Sequence, residues 1–118
     1  MKSLKMEVSI KNYGNLTVVT AYNAISIHNI QSLEKVWEEQ LKKNIHILAI
    51  NFTMVERIDS IGLSHLVKLS RNAIIREIDL IFYGLNKPIL DLFKIARLDT
   101  FFNILTESEF EEKFLFSH

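Results

Sequence analysis

The apolar and polar positions of this chain change period several times, and each change marks an element. "KMEVSIKN" alternates polar and apolar residues from Lys5, Tyr13 to Asn15 supply a turn, and "LTVVTA" follows with β-branched residues, which predicts a β-hairpin. From Asn29 the period lengthens. Ile30, Leu33, Val36, Trp37, Gln40 and Leu41 recur at three- and four-residue steps, so a helix with one buried stripe is expected, with Asn29 as its cap and Asn44 as its stop. "IHILAINF", Ile45 to Phe52, is too continuously apolar for a half-exposed strand and reads as a buried central one.

The second half repeats this alternation. Ile61, Leu66, Val67, Leu69, Ala73 and Ile74 predict a second helix, with Arg71, Arg76 and Glu77 facing solvent near its end. "DLIFYG", Asp79 to Gly84, is a buried strand closed by a turn. Asn86 is placed to cap a third helix, with Pro88 in its first turn and Ile89, Leu92, Phe93 and Ala96 as its apolar stripe. "FFNILT" predicts a last strand and "ESEFEEKFLF" a last acidic amphipathic helix. The order β-β-α-β-α-β-α-β-α requires crossover connections. The expected fold is therefore α/β: one domain over residues 1–118, with a mixed, mostly parallel sheet of about five strands and about four helices.

Composition narrows the function more than the fold. The 118 residues are 48% hydrophobic and 24% charged, which fits a single folded domain with its own core. Fourteen basic residues balance fourteen acidic ones, so no global field favours nucleic acid or an anionic membrane. There is no cysteine, which removes disulfides, thiolate catalysis and thiolate metal sites together. No run approaches the roughly 20 apolar residues of a membrane span, and the first residues turn polar before a signal peptide could develop. A cytoplasmic protein with no membrane insertion is expected.

The candidate chemistry gathers at one junction. In "VERIDSIGLSHLVKLS", Ser60 lies where an apolar strand meets a helix, with Asp59 before it and Gly62 two residues on. As the helix N-cap, its hydroxyl would accept from the N–H of Leu63 or a neighbour, worth about 1 kcal/mol. As a nucleophile it would need a base and a strained elbow, and neither is visible: His65 lies five residues on along the same helix. As a phosphoacceptor it would place a dianion at the positive end of a helix, where the fold tolerates charge and a docked partner would feel it. Sequence pattern alone favours the cap.

These same residues carry a family resemblance. "ERIDSIGL" resembles the D-S-[ST]-G-L signature of the STAS domain in bacterial anti-sigma factor antagonists, and "LNKPILDLFKIARLDTFFNILTESEFEE" is similar to that family's C-terminal half. The resemblance implies a small α/β domain, not an enzyme and without cofactors. Its implied partners are an anti-sigma factor with serine kinase activity and a phosphatase that resets the phosphoserine. Matched by position, that serine is Ser60 and the preceding aspartate Asp59; Arg57, Ile61, Gly62 and Ser64 complete the implied partner surface. The chain departs from the pattern at Ile61, where a small residue is usual, at Ser64, where a second glycine is common, and at Arg57, which replaces an aromatic residue. "TAYNAISIHN" stands where the family has G-x-[LIV]-D. A non-switching role in a larger assembly, a stress-sensing complex or transporter regulator, is the alternative.

Other groups offer less. His28, His46, His65 and His118 have no metal-ligand spacing. Gly84 alone makes no phosphate loop. Phe114, Leu115 and Phe116 are consecutive, so one of them is expected to be exposed or to serve a weak homodimer contact.

Overall fold

The computed structural model describes residues 8–115. Five strands form one sheet in the order β1-β2-β3-β4-β5: β1 (Val8–Tyr13), β2 (Leu16–Ile25), β3 (Ile47–Ile58), β4 (Asp79–Tyr83) and β5 (Asn103–Leu105). The β1–β2 hairpin is antiparallel and every other pairing is parallel, as the alternation of strands and helices requires. Helices α1 (Ile30–Leu41), α2 (Ser60–Ile75) and α3 (Lys87–Ile95) connect the strands, and α4 (Glu107–Phe110) runs on into a π-helical turn over Glu111–Leu115. The expected class and element order are both found. Lys5 to Glu7 of the expected first strand, together with Phe116 and His118, lie outside the described residues.

The period-2 alternation of each strand sorts its side chains onto two unequal cores. On one face, Val19, Ala21, Leu48, Ile50, Phe52 and Phe82 meet the stripes of α1, α2 and α3, including Leu33, Trp37, Leu66, Leu69 and Phe93. On the other, Leu16, Val18, Ala49, Ile81 and Tyr83 are covered by Phe110, whose ring stacks on Tyr83 with centroids 3.9 Å apart. Residues 80 to 83 show the rule directly, since Leu80 and Phe82 join the first core while Ile81 and Tyr83 join the second. Each large side chain so buried contributes about 1.5–3 kcal/mol, and the strands supply as many of them as the helices do.

Several expectations need correction. Asn29 holds the N-cap position of α1 but gives the helix no side-chain hydrogen bond; its side chain instead accepts from Ser26 N at 2.9 Å and donates to the Ala24 carbonyl, locking the β2–α1 loop. Ile61 and Ile74, expected in the core stripe of α2, are 40% and 67% exposed, and Ala96 is exposed beyond the end of α3. The helices bury a narrower stripe than their apolar residues could fill. β2 and β3 run past the predicted ends at Ala21 and Phe52. Beyond Asn51, which pairs with Tyr83, β4 has ended, and among the described residues β2 and β3 continue as a two-stranded ledge. Register shifts between Thr20 and Tyr22 and between Asn23 and Ala24 bend this ledge, with Asn23 at φ 71°. The ledge leads directly into residue 59.

Candidate functional site

At the end of the ledge, one carboxylate organises two segments. Asp59 has extended backbone, φ −105° and ψ 177°, and is the N-cap of α2: its Oδ1 accepts from Gly62 N at 2.8 Å. Its other oxygen, Oδ2, accepts from the N–H of Ile27 at 3.0 Å, tying the β2–α1 loop to the start of α2. The Gly62 and Ile27 amides, in that order of effect, hold the Asp59 carboxyl below the usual aspartate range. Ser60 is therefore not the cap, which corrects the sequence expectation. It is the first helical residue, and it is exposed.

Aspartate and serine both cap helices, and the backbone chooses between them. The Ile25 carbonyl receives Asp59 N at 3.3 Å, and a Cβ built on Gly62 would stand 2.1 Å from that same oxygen. α2 can start this close to β2 only with glycine at its third position, and the first turn is thereby anchored one residue before Ser60. Gly62 is buried, so it shapes the site from beneath and is withdrawn from the contact surface.

The remaining site residues surround an open hydroxyl. Ile61 is 40% exposed, and Ser64 turns its Oγ back onto the Ile61 carbonyl at 2.8 Å. Arg57 is exposed on β3 and makes no ion pair among the described residues. Ile27, not singled out in the sequence, is 58% exposed and hangs from the loop that Asp59 secures. Two exposed apolar residues, Ile27 and Ile61, thus belong to the segments joined at this junction. The only signal of Ile27 in the sequence was an apolar side chain in a polar loop.

His65 is not a base for Ser60. Its Nδ1 lies 2.7 Å from Oε2 of Glu34 on α1, and Lys68 approaches the same oxygen at 3.4 Å. Burial raises the Glu34 carboxyl, but hydrogen bonding and charge from His65 and Lys68 outweigh it and leave the group lowered. This cluster clamps α1 to α2. No group of three metal-ligating side chains occurs among the described residues, and no helix there is long and apolar enough to cross a membrane.

A five-stranded, mostly parallel sheet with a serine exposed behind an aspartate cap defines a small α/β module. The STAS domain family model matches residues 7–112, and the chain belongs to that family. A comparison with curated protein sequences gives no significant match. Among solved structures, the chain is similar to a Thermotoga maritima protein assigned as an anti-sigma factor antagonist. That match has 21% identity and a TM-score of 0.81, over 90% of this chain and 92% of the other. An anti-sigma factor antagonist from Mycobacterium paratuberculosis matches at 16% identity and TM-score 0.74, over 82% of each chain. The Bacillus cell fate determinant SpoIIAA, in its phosphorylated form, matches at 13% identity and TM-score 0.70, over 90% of this chain and 97% of the other. At these identities the likeness is one of fold.

Proposed function

We propose that this chain is an anti-sigma factor antagonist switched by phosphorylation of Ser60. Unmodified, it binds and sequesters an anti-sigma factor that has serine kinase activity; phosphorylated, it releases that partner until a phosphatase restores the hydroxyl. It acts by binding and catalyses nothing itself. The observation that carries this reading is the division of labour at the junction. Asp59 caps α2, so Ser60 is exposed, spends no hydrogen bond on the fold, and can be modified without melting the helix.

A phosphate there adds a charge of about −1.5 to −2 next to Asp59, at a junction where Ile27 and Ile61 are exposed. The helix dipole accommodates that charge locally, whereas an apolar or acidic partner surface does not. Arg57, Ile61 and Ser64 complete the docking surface in this reading.

Incubation with the cognate kinase and ATP, followed by mass spectrometry, tests the switch. Phosphate is expected on Ser60, and Ser60→Asp is expected to lose kinase binding. An unmodified Ser60, or equal binding by Ser60→Asp, overturns it. Ile27 and Ile61 also support a second reading, since permanently exposed apolar residues suit a constitutive contact. In that case the chain is a non-switching subunit of a stress-sensing or transporter-regulating assembly and co-purifies with its scaffold whatever the state of Ser60.

A further inference from the structure

The two unequal cores create a crevice that the switch does not use. β4 leads into α3 on one face of the sheet, while its neighbour β5 leads into α4 on the other. Where adjacent parallel strands send their connections to opposite faces, a cleft opens outside their carboxyl ends, and open α/β sheets bind ligands there. A cavity of about 380 Å³ lies at this point, within the usual range of small-molecule sites. Leu85, Leu90, Ile104 and Leu105 give it apolar walls, and Thr53 and Glu107 lie among its polar positions.

The space is maintained by a glycine. Gly84 has φ +77°, and a Cβ there would stand 2.4 Å from Cγ2 of Thr53, so any side chain would intrude where β3 and β4 meet the cavity.

The charges around the cavity select the ligand. No lysine, arginine or histidine lines it. α4 has only four residues and carries Glu107 and Glu109 in its first turn, while its Glu109 amide is already taken by Thr106 Oγ1 at 3.0 Å. No cationic side chain there offers an anion a counter-charge. Glu109 is itself occupied, accepting from Thr106 N at 2.8 Å, but Glu107 is exposed and makes no ion pair among the described residues. A leucine- and isoleucine-walled cleft with Glu107 in its lining and no cationic side chain beside it fits an apolar body bearing one ammonium group. We propose that this crevice binds a small primary amine with an apolar body.

The test is a titration of the isotope-labelled full chain, followed by amide NMR, with 2-phenylethylamine as probe and 2-phenylethanol and 3-phenylpropanoate as neutral and anionic counterparts. The amine is expected to shift the amides of Gly84, Leu85, Leu105 and Thr106 saturably in the millimolar range, as suits so small a probe. The alcohol should bind about threefold more weakly and the anion should leave these amides unmoved. Glu107→Gln, an exposed substitution, should bring amine and alcohol level. Shifts that do not localise to these amides, binding of the anion as strong as the amine's, or an unchanged amine preference in Glu107→Gln would each overturn the proposal. The titration uses unmodified chain and no kinase, so it is decided apart from the switch at Ser60.

Discussion

Replacing Asp59 separates its two hydrogen bonds. Asp59→Ala removes the cap to Gly62 N and the tie to Ile27 N together. Loss of an N-cap costs about 0.5–2 kcal/mol, and the second bond, on a partly exposed group, adds about 1 kcal/mol. The expected total is about 2 kcal/mol. Asp59→Asn keeps an oxygen for Gly62 but presents an amide donor to the Ile27 N–H, so it should lose only the second share, about 1 kcal/mol. Urea titrations followed by circular dichroism would measure both, and the midpoint should fall further for alanine.

The pH dependence has a definite sign. Because backbone amides, Gly62 first and then Ile27, hold the folded carboxyl below its ordinary value of 3.8, the ionised form stabilises the fold. That contribution is complete above 3.8 and disappears as the pH falls through the lower folded value. The gap between the parent and Asp59→Asn should therefore narrow as acid is added through this window. An alanine variant within 0.5 kcal/mol of the parent, or an asparagine variant as costly as alanine, would refute the two-bond account.

Three further predictions follow from particular contacts. Gly62→Ala forces a methyl toward the Ile25 carbonyl and should cost at least about 1–3 kcal/mol by urea unfolding. Ser60→Ala should change unfolding stability by less than about 0.5 kcal/mol, since this exposed residue is not the cap; a loss near that of Asp59→Ala would return the capping role to serine. Trp37 is fully buried, and its Nε1 has no hydrogen-bond partner among the described residues. Trp37→Phe should thus cost only about 1 kcal/mol, because the smaller ring leaves space but relieves an unpaired donor, whereas Trp37→Ala should cost about 3–5 kcal/mol by the same titration.

The sequence revealed most where local chemistry decides. Asn86 caps α3 through Ile89 N at 3.0 Å with Pro88 in the first turn, as its position implied. Thr106 and Glu109 form a capping box that begins α4 at the start of the acidic run. Long-range geometry was harder to read. "TMVERI" continues β3 with mostly exposed residues, and its strand character comes from pairing with β2 and not from a buried face. The choice of Asp59 over Ser60 as cap depends on a carbonyl 34 positions earlier in the chain, at Ile25, which no local pattern encodes. Ile74, Ile75 and Ile95 are apolar yet 67%, 77% and 80% exposed, because no described element covers those sides of α2 and α3.

The ledge formed by β2 and β3 beyond the end of β4 has an evolutionary consequence. Among the described residues its outer part, from Tyr22 to Ile25 and from Met54 to Ile58, is paired only with itself, while the sheet's shared register is fixed earlier, between Ile47 and Asn51. Lengthening, bending or resurfacing this overhang would tilt the Asp59–Ser60 junction at its tip without disturbing most of the packing below. A lineage could in this way re-aim that junction while inheriting the same scaffold.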